Sequence, residues 1–213
     1  MTLQNRVTPF GELAALPGRG MMLGNRGVLH DDERRIVRIS DVRRWIACRL
    51  EYRGRRRELM RPRSWTELFF LDEAAAFAAG HRPCAACRYA SYRRFKTLWV
   101  ACHGGSGKAD AIDERLHADR LAGRKQKRTY RHELARLPNG TYIVLDGTCG
   151  LVWDRRFLAW SDAGYTSWRA RPASASVDVL TPRAVVDVFV AGYVPEVHPT
   201  AESAKRFEAS ESG

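Results

Sequence analysis

Two cysteines separated by two residues stand at the end of the run Gly80-His81-Arg82-Pro83-Cys84-Ala85-Ala86-Cys87. A tight turn over that spacing can aim both sulfurs at one centre, which is half of a tetrahedral zinc site. The other ligands must come from elsewhere, and Cys48 is the nearest cysteine on the N-terminal side. His81, inside the knuckle, is taken as the fourth ligand, with His30 or a water as the open alternatives. Cys102 is set aside because it closes a helical periodicity that starts just after Cys87, roughly 20 Å along the axis.

A second constellation lies at residues 109–121. On a helix Asp113, His117 and Arg120 share one stripe, while Ile112, Leu116 and Leu121 point the other way. A carboxylate four residues before a histidine can orient the imidazole as a base or metal ligand. Asp113 and His117 are therefore the candidate catalytic pair for phosphodiester hydrolysis. The plainer reading of the same spacing is a surface helix laced with charge pairs.

Charge suggests the partner. Thirty-six Lys and Arg against 24 Asp and Glu give a net charge of +12, with arginine in excess. Guanidinium groups pair bidentately with phosphate, so the expected polyanion is nucleic acid, DNA or RNA, against the alternative of an ordinary solvated arginine surface. Two clusters carry the expectation: Arg53, Arg55, Arg56 and Arg57 around Gly54, and Lys125, Lys127 and Arg128. Tyr52, Trp65 and Tyr92 could offer stacking platforms beside the first. Three glycine-bearing stretches, Thr8-Pro9-Phe10-Gly11, Gly18-Arg19-Gly20 and Gly24-Asn25-Arg26-Gly27, read as phosphate-approaching loops or as structural turns. Five cysteines, an odd number, and no N-terminal apolar leader point to reduced thiols and a cytoplasmic setting. No apolar run nears the ~18 residues of a membrane helix, so no membrane partner is expected.

These groups need elements to position them. Alternation of apolar and polar residues predicts strands over 35–40 and 44–52, the second placing Cys48 on the face of Ile46, Leu50 and Tyr52. Asp72 reads as the cap of an alanine-rich helix ending at Gly80, and Tyr92, Phe95, Leu98 and Trp99 give a helical stripe over 90–103. Short strands are expected at 141–146, 149–153, 157–160 and 174–180, then a helix opening at Thr181-Pro182 and closing at Gly192. The expected class is α+β, with a zinc-knuckle lobe of hairpin and helix packed with helices and a C-terminal antiparallel sheet. Residues 1–104 and 105–213 are read as two parts of one compact unit.

Cys48-Arg49, the helix-like run at 70–80 (FLDEAAAFAAG) and the Cys84-x-x-Cys87 knuckle together resemble the metal-binding domain of the bacterial Ada-type methyl-phosphotriester repair protein. The resemblance covers about residues 45–92. It implies zinc, nucleic-acid binding in DNA repair or processing, and a match of Cys48 to the family's reactive hairpin cysteine. The chain departs from the pattern at Tyr52, where the family has its second hairpin cysteine. The function expected is thus a zinc-stabilised nucleic-acid-binding protein. The alternative is a metal-dependent enzyme that hydrolyses a phosphodiester or transfers an alkyl group to Cys48, and Tyr52 argues for Cys48 as ligand rather than acceptor.

Overall fold

The computed structural model describes residues 2–54, 58–123 and 126–207, and its architecture is α+β. The N-terminal part supplies β1 (Arg6–Val7), β2 (Leu13–Ala14), β3 (Met22–Asn25), β4 (Ile46–Arg49) and β5 (Leu68–Phe70). Helix α1 (Glu73–Ala78) and strand β6 (Arg82–Pro83) follow, and the six strands form one sheet in the order β2-β1-β5-β3-β4-β6. Helices α2 (Tyr89–His103) and α3 (Ala109–Arg120) lead to a small hairpin of β7 (Leu121–Ala122) and β8 (Gln126–Lys127).

The remainder is mostly antiparallel sheet: β9 (Tyr130–Glu133), β10 (Tyr142–Leu145), β11 (Thr148–Trp153), β12 (Arg156–Ser161), β13 (Gly164–Ala170) and β14 (Ser176–Val179). Helix α4 (Arg183–Val190), the single turn α5 (Thr200–Ser203) and the edge strand β15 (Lys205–Arg206) complete it. The seven strands run in the order β15-β13-β12-β11-β10-β14-β9, with β10 to β13 as consecutive hairpins.

Helix α1 is the hub. All six of its residues are buried, and each face meets a different partner. Ala74, Ala75 and Ala78 pack with Tyr142, Leu151 and Leu158 of the C-terminal sheet. Ala76 packs with Met22, Leu68 and Phe70 of the N-terminal sheet, and Phe77 enters the cluster of Phe95, Trp99, Val188 and Phe189 from the long helices. A helix enclosed on all sides needs small side chains wherever sheets approach it, and that is what the alanine run provides. Its start is capped by Asp72, whose carboxylate accepts from the Ala75 amide at 2.8 Å. Its end is a Schellman turn: Gly80 at φ +87° donates to the Phe77 carbonyl, and the His81 amide donates to that of Ala76.

The structure departs from the expected elements in several places, β3 and β9 being unexpected strands. Residues 35–40 form no strand; Ile36 makes a lone bridge to His30. In β4 the buried face is that of Trp45 and Ala47, 2% and 1% exposed, and not that of Cys48, because Trp45 is clasped by arginines while Leu50 lies beyond the strand, 47% exposed. Strand β13 has no counterpart among the expected strands, since its Tyr-Thr-Ser-Trp-Arg-Ala run carries as much polar as apolar character. In α3 the charged stripe is as buried as the apolar one: Asp113 and Arg120 are enclosed together with Ile112 and Leu116.

Candidate metal centre and its surroundings

Strand pairing assembles the thiols. Strand β4 pairs with β3 in the register Leu23 to Cys48 and runs parallel to β6, whose continuation lets the Cys84 amide donate to the Ala47 carbonyl at 2.9 Å. Cys48 thus stands beside the knuckle, and the ligand atoms of Cys48, Cys84 and Cys87 all lie within 4.8 Å of one another. Thiolates around a tetrahedral ion with bonds of ~2.3 Å stand roughly 3.8 Å apart, so this cluster can close on a metal with small adjustments. Two backbone amides support the sulfurs: Arg49 donates to Cys87 Sγ and Ala86 to Cys84 Sγ, each at 3.4 Å. Hydrogen bonds from Cys48 and then Cys87 pull Cys84 far below the usual thiol range, while Cys48 is pushed up by its bonds to Cys84 and Cys87. The three thiols fit a metal ion by number, softness and spacing.

The cluster opens on a pocket of about 330 Å³, lined also by Asn25, Tyr52 and Trp65. Among the described residues no histidine joins it. His81, placed in the ligand set from the sequence, is fully buried with its ring packed on Trp45 and Phe70, and its Nε2 accepts from Arg26 Nε at 3.2 Å. Burial first, then the charges of Arg26 and Arg120, hold it well below its ordinary pKa, so it is a neutral core histidine. His30 is spent on Thr66 Oγ1 at 2.7 Å and the Arg61 carbonyl at 3.2 Å. Cys102 is exposed at the far end of α2, with its thiol near the Asp187 carbonyl.

The Asp113 and His117 pair is not assembled as a base and its orienter. Both carboxylate oxygens of Asp113 accept from Arg82, at 2.8 and 2.7 Å, in a buried bidentate pair whose guanidinium also faces the Tyr92 ring. His117 Nδ1 instead accepts from an Arg120 Nη at 3.1 Å, and burial, then Arg120 and Arg43, lower its pKa.

Of the basic clusters, Arg55, Arg56, Arg57 and Lys125 lie outside the described residues. Arg53 is exposed, with its guanidinium 5.2 Å from the ring centre of Tyr52, which lines the thiol pocket. Arg128 is also exposed, whereas Lys127 turns its ammonium inward to the Ala78 carbonyl.

Sequence reasoning missed two buried polar assemblies. Glu73 accepts from Arg88 at 2.6 Å, from the Tyr193 hydroxyl at 2.7 Å and from the Glu196 amide at 2.9 Å, while Asp72 takes the Tyr165 hydroxyl and the His198 amide. Only the cap role of Asp72 had a local signal. The second assembly is Trp45 with two guanidiniums over its ring, Arg26 at 3.9 Å and Arg120 at 3.8 Å from the ring centre. Compared with known protein families, curated proteins and solved structures, the chain matches none.

Proposed function

We propose that Cys48, Cys84 and Cys87 hold a zinc ion and that the protein binds nucleic acid on the face around that centre. The observation that carries the reading is the convergence of three thiols from β4 and the knuckle onto one point beside a pocket rimmed by Arg49, Tyr52 and Trp65. Three soft anionic ligands favour zinc over the oxygen-seeking divalent ions. Zinc there would tie β4 to the turn that follows α1. Arg53 beside Tyr52, the run of Arg55, Arg56 and Arg57 that follows it in the sequence, and the charge of +12 support a phosphate-bearing partner. The resemblance to the Ada-type metal-binding domain points the same way, toward DNA repair or processing. Hydrolysis by Asp113 and His117 loses support, because a carboxylate held bidentately by Arg82 has little basicity left to lend.

The test is a metal and thiol count on the purified full chain. About one zinc per chain is expected, lost in Cys84→Ser and in Cys48→Ser and kept in Cys102→Ser. Retention on duplex or single-stranded DNA should fall steeply with added salt. Incubation with DNA carrying methyl-phosphotriesters should leave the intact mass unchanged, as expected of a ligand cysteine. Metal-free protein with an unaltered melting curve would end the zinc reading, and absence of retention at low salt would end the nucleic-acid reading independently.

A further inference from the structure

Two of the glycine-bearing stretches meet where Arg26 donates to the Gly11 carbonyl at 2.9 Å. Gly11 of the first and Arg26 of the second line a pocket of about 330 Å³ together with Trp45, Arg120 and Lys127. Three of these residues carry buried cationic groups: Arg26 and Arg120 are 0% and 1% exposed, and the Lys127 ammonium is enclosed although its stem reaches the surface. Among the described residues none of the three makes an ion pair, since the nearby Asp113 is taken by Arg82 and Arg44. Their hydrogen bonds go to neutral acceptors: Arg26 to the Gly11 carbonyl and His81, Arg120 to the Gly80 and Arg43 carbonyls, and Lys127 to the Ala78 carbonyl. Donors remain over. Arg26 Nη2 and Arg120 Nε are buried without a partner, and a methyl group on Gly11 would stand 3.7 Å from that Nη2.

Buried donors and like charges are costly to leave uncompensated. Burial, and then mutual repulsion, lower Arg26 to about 9 and Lys127 to about 7. Arg120, also lowered to about 9 by burial, is only partly compensated by Asp113. A bound oxyanion would relieve the repulsion and, after a small shift of the two guanidiniums, take up their spare donors. The Trp45 ring already carries two guanidiniums within 4 Å of its centre, so the pocket recognises its ligand by charge and not by stacking a base. Glu12 is the carboxylate among the described lining residues, and it is exposed, so water weakens its repulsion of an anion without abolishing it.

We propose that this pocket binds a phosphate monoester, with Lys127 and Arg120 on one wall and Arg26 behind Gly11 on the other. The phosphate can be that of a small free metabolite or the terminal phosphate of a nucleic-acid strand, since the same donors serve both.

The experiment titrates the full-length protein with inorganic phosphate in chloride buffer at constant ionic strength, followed by calorimetry and by melting temperature. Saturable binding of one phosphate with a rise in melting temperature is expected. Arg26 also braces the Gly11 loop, so the informative variant is Lys127→Met, which keeps the aliphatic stem. It should melt no lower than the parent without phosphate and bind phosphate roughly tenfold more weakly, the loss of one charge-assisted hydrogen bond. Glu12→Gln should tighten binding roughly threefold by removing a nearby like charge. Competition by a 5′-phosphorylated oligonucleotide, and not by its 5′-hydroxyl counterpart, would assign the strand end as the source; competition by neither would assign a small phosphate ester. No saturable binding by the parent, or equal binding by Lys127→Met, would overturn the proposal.

Discussion

At the scale of single residues, the molecule's charges are settled by what each is buried against. Asp113 and Arg82 are 2% exposed each and satisfy one another bidentately. Removing one partner leaves the other charge buried and alone, which costs about 3–5 kcal/mol. Asp113→Asn is therefore expected to lose stability on that scale in chemical denaturation, and the Arg82→Met, Asp113→Leu double variant much less, with a clear coupling in the double-mutant cycle. Lys127 yields a pH prediction. Its pKa falls from the ordinary lysine value of 10.5 to about 7 in the fold, through burial first and then Arg26 and Arg120. Between those values the unfolded chain binds the proton and the folded one does not, so stability rises with pH across that window. Its contribution is complete above the unfolded value and is lost as pH falls through the folded one. Melting curves in phosphate-free buffer should show a smaller rise for Lys127→Met than for the parent between pH 7 and 10.5.

At the scale of elements, α1 and the strands on either side of it carry the most constraint. Its alanines touch two sheets at once, so a larger side chain has nowhere to go. Ala75→Leu is expected to cost about 1–3 kcal/mol or more by overpacking, against a near-neutral effect of the same change on the exposed face of α2. Gly24 in β3 faces a similar limit: a Cβ there would lie 2.2 Å from the Phe70 ring, and Gly24→Ala should destabilise by a comparable amount. Because β3 is the strand that holds β4 and thus Cys48 in register, that variant is also expected to weaken metal retention, read by competition with a chromogenic chelator.

At the scale of the whole molecule, one residue joins α1, whose alanines pack on both sheets, to the long helices. Phe77 packs on Phe95, Phe189 and Tyr193, and Phe77→Ala should cost about 3–5 kcal/mol, measured by denaturant unfolding. What the sequence determined by itself was local. The Asp72 cap, the stop at Gly80, the Cys84-x-x-Cys87 knuckle, the stripe of Phe95 and Trp99, and the hairpin strands β10 to β12 each depend on residues a few positions apart, where capping, turn chemistry and periodicity act directly. Cys48 was reachable only as the nearest spare thiol, because its approach to the knuckle rests on the parallel pairing of β4 with β6, more than thirty positions away. Periodicity along one strand could not tell which face of β4 is covered, since Trp45 is buried by Arg26 and Arg120 from distant segments. For the same reason His81 reads as a ligand by its place in the knuckle and lies in the core by its contacts with Trp45, Phe70 and Arg26. The charged stripe of α3 reads as solvated by its composition, yet Arg82 draws Asp113 inside. Burial of a charge depends on a partner across the fold, and only the tertiary structure supplies that partner.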